Sequence, residues 1–212
     1  MKKFCSFLLF MCFSIAFLSG CTGPKKNAAD SIKAIYELYI LGDTKGITSL
    51  GMTEEDINAA KETYDASLKE TIRANFSASG QEIEEDVLEE LCEARKAALA
   101  KMSATAEVVS ESEGKATVVV HTTYFNEFNL DEDAYYSARE TAQQSNFPTT
   151  EERQVFLMDI YSKNLIEAYR NVTPSEKTID ITVDCVIQNN TWVPANMSSF
   201  GSDLALAITG QK

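Results

Sequence analysis

His121 is the sole histidine of the chain, so any Ser–His–Asp or Cys–His catalytic arrangement would have to be built on it. It falls in the middle of an expected strand, with no G-x-S-x-G around any serine and no cysteine in a catalytic context. The simpler expectation is a strand residue facing solvent or lying under a helix. One histidine also excludes a histidine-rich transition-metal site, and Cys92 with Cys185 alone would leave a zinc site incomplete. Carboxylates are plentiful, and paired ones bind calcium or do acid–base work. They form four clusters: Glu54-Glu55-Asp56, Glu82 with Glu84-Glu85-Asp86, Asp131-Glu132-Asp133, and Glu151-Glu152. Each cluster opens an expected helix, where an acid complements the macrodipole by about 0.3–1 kcal/mol. Asp131-x-Asp133 also lacks the following Asp/Asn, Gly and distal Glu of a calcium loop. No catalytic residue, metal ligand or cofactor is assigned. Aromatics are the remaining chemistry, crowded between Tyr124 and Phe147. Tyr124, Phe128, Tyr135 and Tyr136 are the candidates to line a pocket for a small apolar or glycan ligand, although core packing uses the same residue types.

The chain begins with Lys2-Lys3, followed by an almost wholly apolar run from Phe4 to Phe17. An apolar run of roughly 7–15 residues behind a basic start reads as a secretory leader; a spanning helix needs about 20. The next residues, Leu18-Ser19-Gly20-Cys21, resemble the bacterial lipobox. The resemblance implies thioether attachment of a diacylglycerol to Cys21 and cleavage before it, and two acyl chains anchor stably where one does not. Thr22 to Asn27 then reads as a short polar tether, with Lys25 and Lys26 able to lie against anionic headgroups. The expected division is a leader at 1–20, a lipidated cysteine and tether at 21–27, and a single α+β domain at 28–212.

Nineteen Lys and Arg against 32 Asp and Glu give a formal charge of −13, and losing Lys2 and Lys3 with the leader makes the remainder more acidic still. Such a surface repels nucleic acid. Of five cysteines, Cys5 and Cys12 lie in the leader and Cys21 takes the lipid, leaving Cys92 and Cys185. An exported pair can form a disulfide, but both sit on apolar faces where a free Cys behaves as a small hydrophobe. Both possibilities stand at this point.

The elements follow from periodicity. Ile32, Ile35, Tyr36 and Tyr39 predict a helix over 28–41, stopped by Gly42-Asp43. Thr53 predicts the N-cap of a second helix, to about Phe76, with Ile57, Ala60, Tyr64, Leu68, Ile72 and Phe76 as its stripe. A third spans about 82–101, placing Val87, Leu88, Leu91, Cys92 and Leu99 inward. Val- and Thr-rich runs at 104–110 and 115–125 predict a β-hairpin. Two more helices follow, at about 131–144 and from Thr149 or Thr150 to about Tyr169. Ile179, Ile181, Val183, Cys185 and Ile187 then alternate with polar residues, and Asn189-Asn190 turns the chain into Thr191-Trp192-Val193. Phe200, Leu204 and Ile208 suggest a last helix. The order helices–hairpin–helices–hairpin predicts an α+β fold, with helices packed on one face of an antiparallel sheet.

That order resembles an uncharacterised domain of Gram-positive cell-surface lipoproteins. The likeness rests on the lipobox, on Ile35-Tyr36-Glu37-Leu38-Tyr39 before Gly42-Asp43, and on the closing Asn189-Asn190-Thr191-Trp192-Val193 hairpin. A helix followed by a hairpin ending in a turn and Trp also resembles the cone-shaped, cystatin-like folds of the nuclear-transport-factor type, which often hold a pocket between sheet and helices. Enzymes of that shape put acid, His or Tyr residues in the pocket, and no matching set stands here. The resemblance therefore implies location and shape, and no activity. The functional expectation is a non-enzymatic lipoprotein, held to the cell membrane through Cys21 with its domain on the extracytoplasmic side, binding an unknown ligand or protein partner of the envelope. The alternatives are a cell-wall hydrolase whose site forms only in three dimensions, and a structural or assembly factor. A deep cavity lined by Tyr124, Phe128 and Tyr136 would favour ligand binding; carboxylates converging on His121 would favour the enzyme; a flat apolar patch would favour the assembly factor.

Overall fold

The structure, a computed structural model, describes residues 26–78 and 80–212. Asn27, the last residue of the expected tether, caps the first helix, α1 (Ala28–Tyr36), by accepting from the Asp30 amide at 2.8 Å. The chain does not continue as α-helix to Leu41. It widens into a π-helix at Glu37–Leu41, ended by Gly42 in the left-handed region at φ 71°. Leu38, Tyr39 and Ile40 are all buried there, three consecutive side chains that an α-helical stripe cannot direct to one side. A short α2 (Lys45–Ser49), which the glycines at 46 and 51 disguised as loop, tucks Ile47 into the core.

Thr53 starts α3 (Glu54–Ala78) as expected, its hydroxyl accepting from the Asp56 amide at 3.1 Å and donating to that carboxylate at 2.6 Å. This reciprocal contact satisfies a helix-end donor while fixing the acid near the positive end of the dipole. Helix α4 (Glu85–Leu99) buries Leu88, Leu91, Cys92 and Leu99. It packs on α3 and on α6 (Thr150–Asn171), which forms a helical hairpin with α5 (Glu127–Gln144). Thr149 is the N-cap of α6, accepting from the Glu152 amide at 3.1 Å. At its other end, the Lys101 ammonium donates to the carbonyls of Arg170 (2.6 Å) and Val172 (3.0 Å), covering the end of the helix with positive charge.

Strands β1 (Ala104–Ser112), β2 (Lys115–Thr123), β3 (Thr178–Gln188) and β4 (Thr191–Pro194) form one antiparallel sheet in sequential order. Both tight turns need left-handed residues. Glu113-Gly114 (φ 50° and 75°) joins β1 to β2, and Asn189-Asn190 (φ 48° and 62°) joins β3 to β4, the primed geometry that matches strand twist. Val118 pairs with Val183 and Val120 with Ile181 across the sheet centre. These side chains are buried under α1 and α7 (Met197–Ile208), whereas Asp180, Thr182 and Asp184 of the same strand are exposed. The expected α+β class, with helices on one face of an antiparallel sheet, is the observed one.

Strand β2 ends at Thr123, short of the expected residue 125. Thr122, not Tyr124, completes its buried face, and its hydroxyl hydrogen-bonds that of Tyr36 at 2.9 Å, also buried. Tyr124 lies past the strand, where the Phe125 and Glu127 amides donate to the carbonyls of Ile208 and Thr209 at the end of α7, both at 3.2 Å. Cys92 and Cys185 are free thiols, each buried. Burial pushes the first up to about 11 and the second to about 12, so both stay protonated and unreactive near neutral pH.

Gly46 of α2 packs so closely on α1 that a Cβ there would lie 2.9 Å from Ala34 Cβ and 2.8 Å from Glu37 Oε2. Gly46→Ala is expected to cost about 1–3 kcal/mol through overpacking against its gain in helix propensity. Urea unfolding of the variant checks it; unchanged stability would show that α2 moves freely off α1.

Candidate ligand cleft and the buried charge behind it

The π-helix forms one wall of a cleft of about 360 Å³, a size within the range of small-molecule sites. Helices α3 and α4 supply the others. Its apolar lining includes Leu38, Leu41, Leu99 and two tyrosines, Tyr39 and Tyr64, whose ring centroids lie 6.4 Å apart at 57°. Its charged lining is Lys61, Asp65, Glu93 and Lys96. The Lys61 ammonium donates to the Gly42 carbonyl at 3.3 Å, and Lys96 lies 2.6 Å from Glu93 and 3.3 Å from Asp65. Burial pushes the Tyr39 hydroxyl up to about 12, so it remains a neutral donor and acceptor. A second depression, of about 340 Å³, lies between α5 and α6 beside Asp133, Asn164 and Glu167.

Tyr64 links the first cleft to the interior, because the Arg95 guanidinium acts on its hydroxyl, opposing the rise that burial causes. Arg95 is 2% exposed, and Glu127 is 3% exposed. Arg95 Nε donates to Glu127 Oε1 at 2.7 Å and Nη2 to Oε2 at 3.2 Å, a bidentate pair. Tyr169 donates its hydroxyl to the same Oε1. Burial opposes the charge on Arg95, but the Glu127 carboxylate outweighs it and holds the guanidinium above its ordinary value. Burial also raises Tyr169 and Tyr64, which therefore act as neutral hydroxyls. One helical turn along α5, Tyr161 donates to Asp131 at 2.5 Å, and desolvation raises that carboxyl.

A signal for this pair stands in the sequence. Arg95 stands three residues after Cys92 and four after Leu91, on the apolar face of α4, and a charge there demands a partner. Glu127 was hidden by the helix boundary. The expected start at Asp131 is one turn late, because Asn126 caps α5 by accepting from the Asn129 amide at 3.1 Å.

The aromatic candidates do not converge on either cleft. Tyr135 packs edge-on to Tyr161 (6.3 Å) and to its neighbour Tyr136 (5.9 Å) on α5. Phe128 and Tyr136 are 44% and 50% exposed, and Tyr124 lies against Gly210, away from both. His121 lies on the open face of the sheet, its Nδ1 2.6 Å from Asp180 and its Nε2 3.6 Å from Glu107. Among the described residues, no three His, Cys, Asp or Glu side chains form a group that could hold a metal ion. Nor is any helix among them long and apolar enough to cross a membrane. Leu18, Ser19, Gly20 and Cys21 lie outside the described residues.

The family described as a domain of unknown function, DUF5105, matches residues 41–197. The chain belongs to this family. The match takes in the sheet and α2 to α6, leaving α1 and nearly all of α7 outside it. Among solved structures, the chain resembles a Bacillus subtilis protein named as a lipoprotein (ycdA), with a TM-score of 0.61 and 16% identity over 85% of this chain. That likeness is one of fold. The chain spans about half the length of that protein (55%). No curated protein matches the chain.

Glu127→Ala is expected to destabilise the fold by about 3–5 kcal/mol, because it strands a buried guanidinium. Arg95→Met with Glu127→Leu should recover much of that loss, since no charge is then left in the interior. Denaturant titration of the three variants checks both statements.

His121 gives a pH dependence of known sign. Its hydrogen bond to Asp180, aided by that carboxylate's charge and by Glu107, raises its folded-state value above 6.5. A folded value above the unfolded one makes the contribution full below pH about 6.5 and lost as pH rises through the folded value. Melting temperatures from pH 5 to 9 should therefore converge between wild type and His121→Gln at the alkaline end. A constant gap would show that the charge of His121 does not stabilise the fold.

Proposed function

We propose that the chain is a lipoprotein anchored through Cys21 on the extracytoplasmic side of a cell membrane, where its domain binds a ligand or protein partner of the envelope. The observation that carries the reading is the spacing of basic start, apolar run and Leu18-Ser19-Gly20-Cys21. The fold it shares with a protein named as a lipoprotein supports the anchor, and a cleft of ligand size beside a π-helical turn supports binding. The likeness to cone-shaped, cystatin-like folds is part of the same proposal. In such a cone the pocket lies between helix and sheet, a space that here is filled by Ile32, Ile35, Val118 and Val120, all buried. Binding is accordingly assigned to the cleft at the far end of that helix.

One observation favours a second reading. Asp180 and Glu107 converge on His121, as a hydrolase acting through that residue would require. The group lies on an open sheet face, and none of its three residues lines either cleft described above. A cleft of ligand size suits binding better than a group on an open sheet face suits catalysis, so the binding reading is preferred.

Cys21→Ala is expected to leave the membrane fraction or to keep its leader, and to take up no radiolabelled palmitate. Membrane fractionation and lipid labelling of the full chain check this; a variant that is still labelled and processed would sink the anchor assignment.

A further inference from the structure

We propose that the cleft beside the π-helical turn binds a free amino acid with an apolar or aromatic side chain, its carboxylate on Lys61 and its ammonium group on Asp65 and Glu93. The inference names the ligand class for the binding reading above and rests on that reading. Lys61 and Asp65 are four residues apart on α3, so they lie one above the other on one helix face. Among the described residues, the Lys61 ammonium donates to the Gly42 carbonyl at 3.3 Å, and no carboxylate lies within ion-pair distance of it. At the other end a single ammonium, Lys96, serves two carboxylates, Asp65 and Glu93. The cleft therefore carries an excess positive charge at one end and an excess negative charge at the other.

Those charges decide between ligand classes. A simple anion would be repelled by the carboxylate end, and a simple amine by Lys61. A wholly apolar ligand would strip water from both ends without replacing it. A zwitterion meets each end with its opposite, and charge-assisted hydrogen bonds to such groups are the strong ones. Between the ends, Tyr39, Tyr64, Leu38, Leu41 and Leu99 offer an apolar wall with two tilted rings, which suits an aliphatic or aromatic side chain. The volume, about 360 Å³, is at the small end for ligand sites and fits a single amino acid better than a longer peptide.

Titration calorimetry of the full chain in detergent tests the proposal, with L-leucine, L-phenylalanine, phenethylamine and 3-phenylpropionate as probes. The last two lack the carboxylate and the ammonium group respectively. One or both amino acids should bind saturably, and each truncated analogue at least about tenfold more weakly than phenylalanine, the worth of one charged hydrogen bond. Lys61→Ala should weaken the amino acids about tenfold and leave phenethylamine unchanged. Ala97→Phe, at an exposed position lining the cleft, should abolish binding by filling it while preserving the melting temperature. Failure of the wild type to bind either amino acid at millimolar concentration overturns the proposal, as does binding that both variants leave intact. Native mass spectrometry of the same preparations separates the two levels of the argument. A co-purified mass of another class, lost in Ala97→Phe, overturns the amino acid and leaves the ligand reading standing. A bare chain that also binds no amino acid removes the cleft from both.

Discussion

A guanidinium in the interior is tolerable only where a counter-charge of fixed geometry is delivered to it, and Arg95 meets that condition through Glu127. The consequences spread outward. Glu127 must open α5 at one angle, so Asn126 has to cap the helix and the end of α7 has to hold the preceding backbone through Ile208 and Thr209. Tyr169 must bring α6 to the same carboxylate, and Tyr64 must bring α3 to the same guanidinium. Four helices thus agree on one point. Apolar packing alone fixes their arrangement less sharply, because hydrophobic contact is not directional. Net stabilisation by such a pair is small, since desolvation offsets most of the attraction. Its effect is on which packing is chosen.

The same constraint ties the interior to the cleft. Tyr64 packs tilted against Tyr39 on the cleft side, and its hydroxyl feels the Arg95 charge on the other. The π-helical turn does a parallel service for Tyr39. The wider turn buries Leu38, Tyr39 and Ile40 together, and all three border the cleft. Such a turn gives up regular helical hydrogen bonding for a placement that regular helix cannot make, a trade frequent at functional sites. Preorganised walls of this kind reduce the ordering entropy that binding would otherwise cost.

The surface divides into unlike regions. The sheet gives one face to α1 and α7 and leaves the other to water, where Asp180, Asp184 and Glu107 carry part of the acidic excess around His121. A −13 chain next to anionic headgroups is repelled by them, so on the anchored reading the domain stands off the membrane at the end of its tether. Within that acidic field the cleft is locally balanced, two lysines facing two carboxylates, which suits a ligand that is itself neutral overall.

Local rules carried most of the architecture. Thr53, Thr149 and Gly42 announced helix ends, the Val- and Thr-rich runs announced β1 and β2, and Asn189-Asn190 announced the last hairpin. Each of these acts within a few residues of itself, so sequence is enough to read it. The leader and Leu18-Ser19-Gly20-Cys21 belong to the same class, since a linear motif needs no folding to be legible. What tertiary structure decided were the positions where distant segments must satisfy one another. Arg95 and Glu127 are 32 residues apart, Tyr36 and Thr122 are 86 apart, and nothing in either neighbourhood names the other. The pocket candidates show the same limit. Tyr124, Phe128, Tyr135 and Tyr136 are neighbours in sequence and point different ways on α5 and beside it, while Tyr39 and Tyr64, read from their stripes as core, meet across two helices to form the wall of a cleft. Proximity along a chain is set by covalent bonds, but the enclosure that makes a site is set by helix packing, and only the folded chain supplies it.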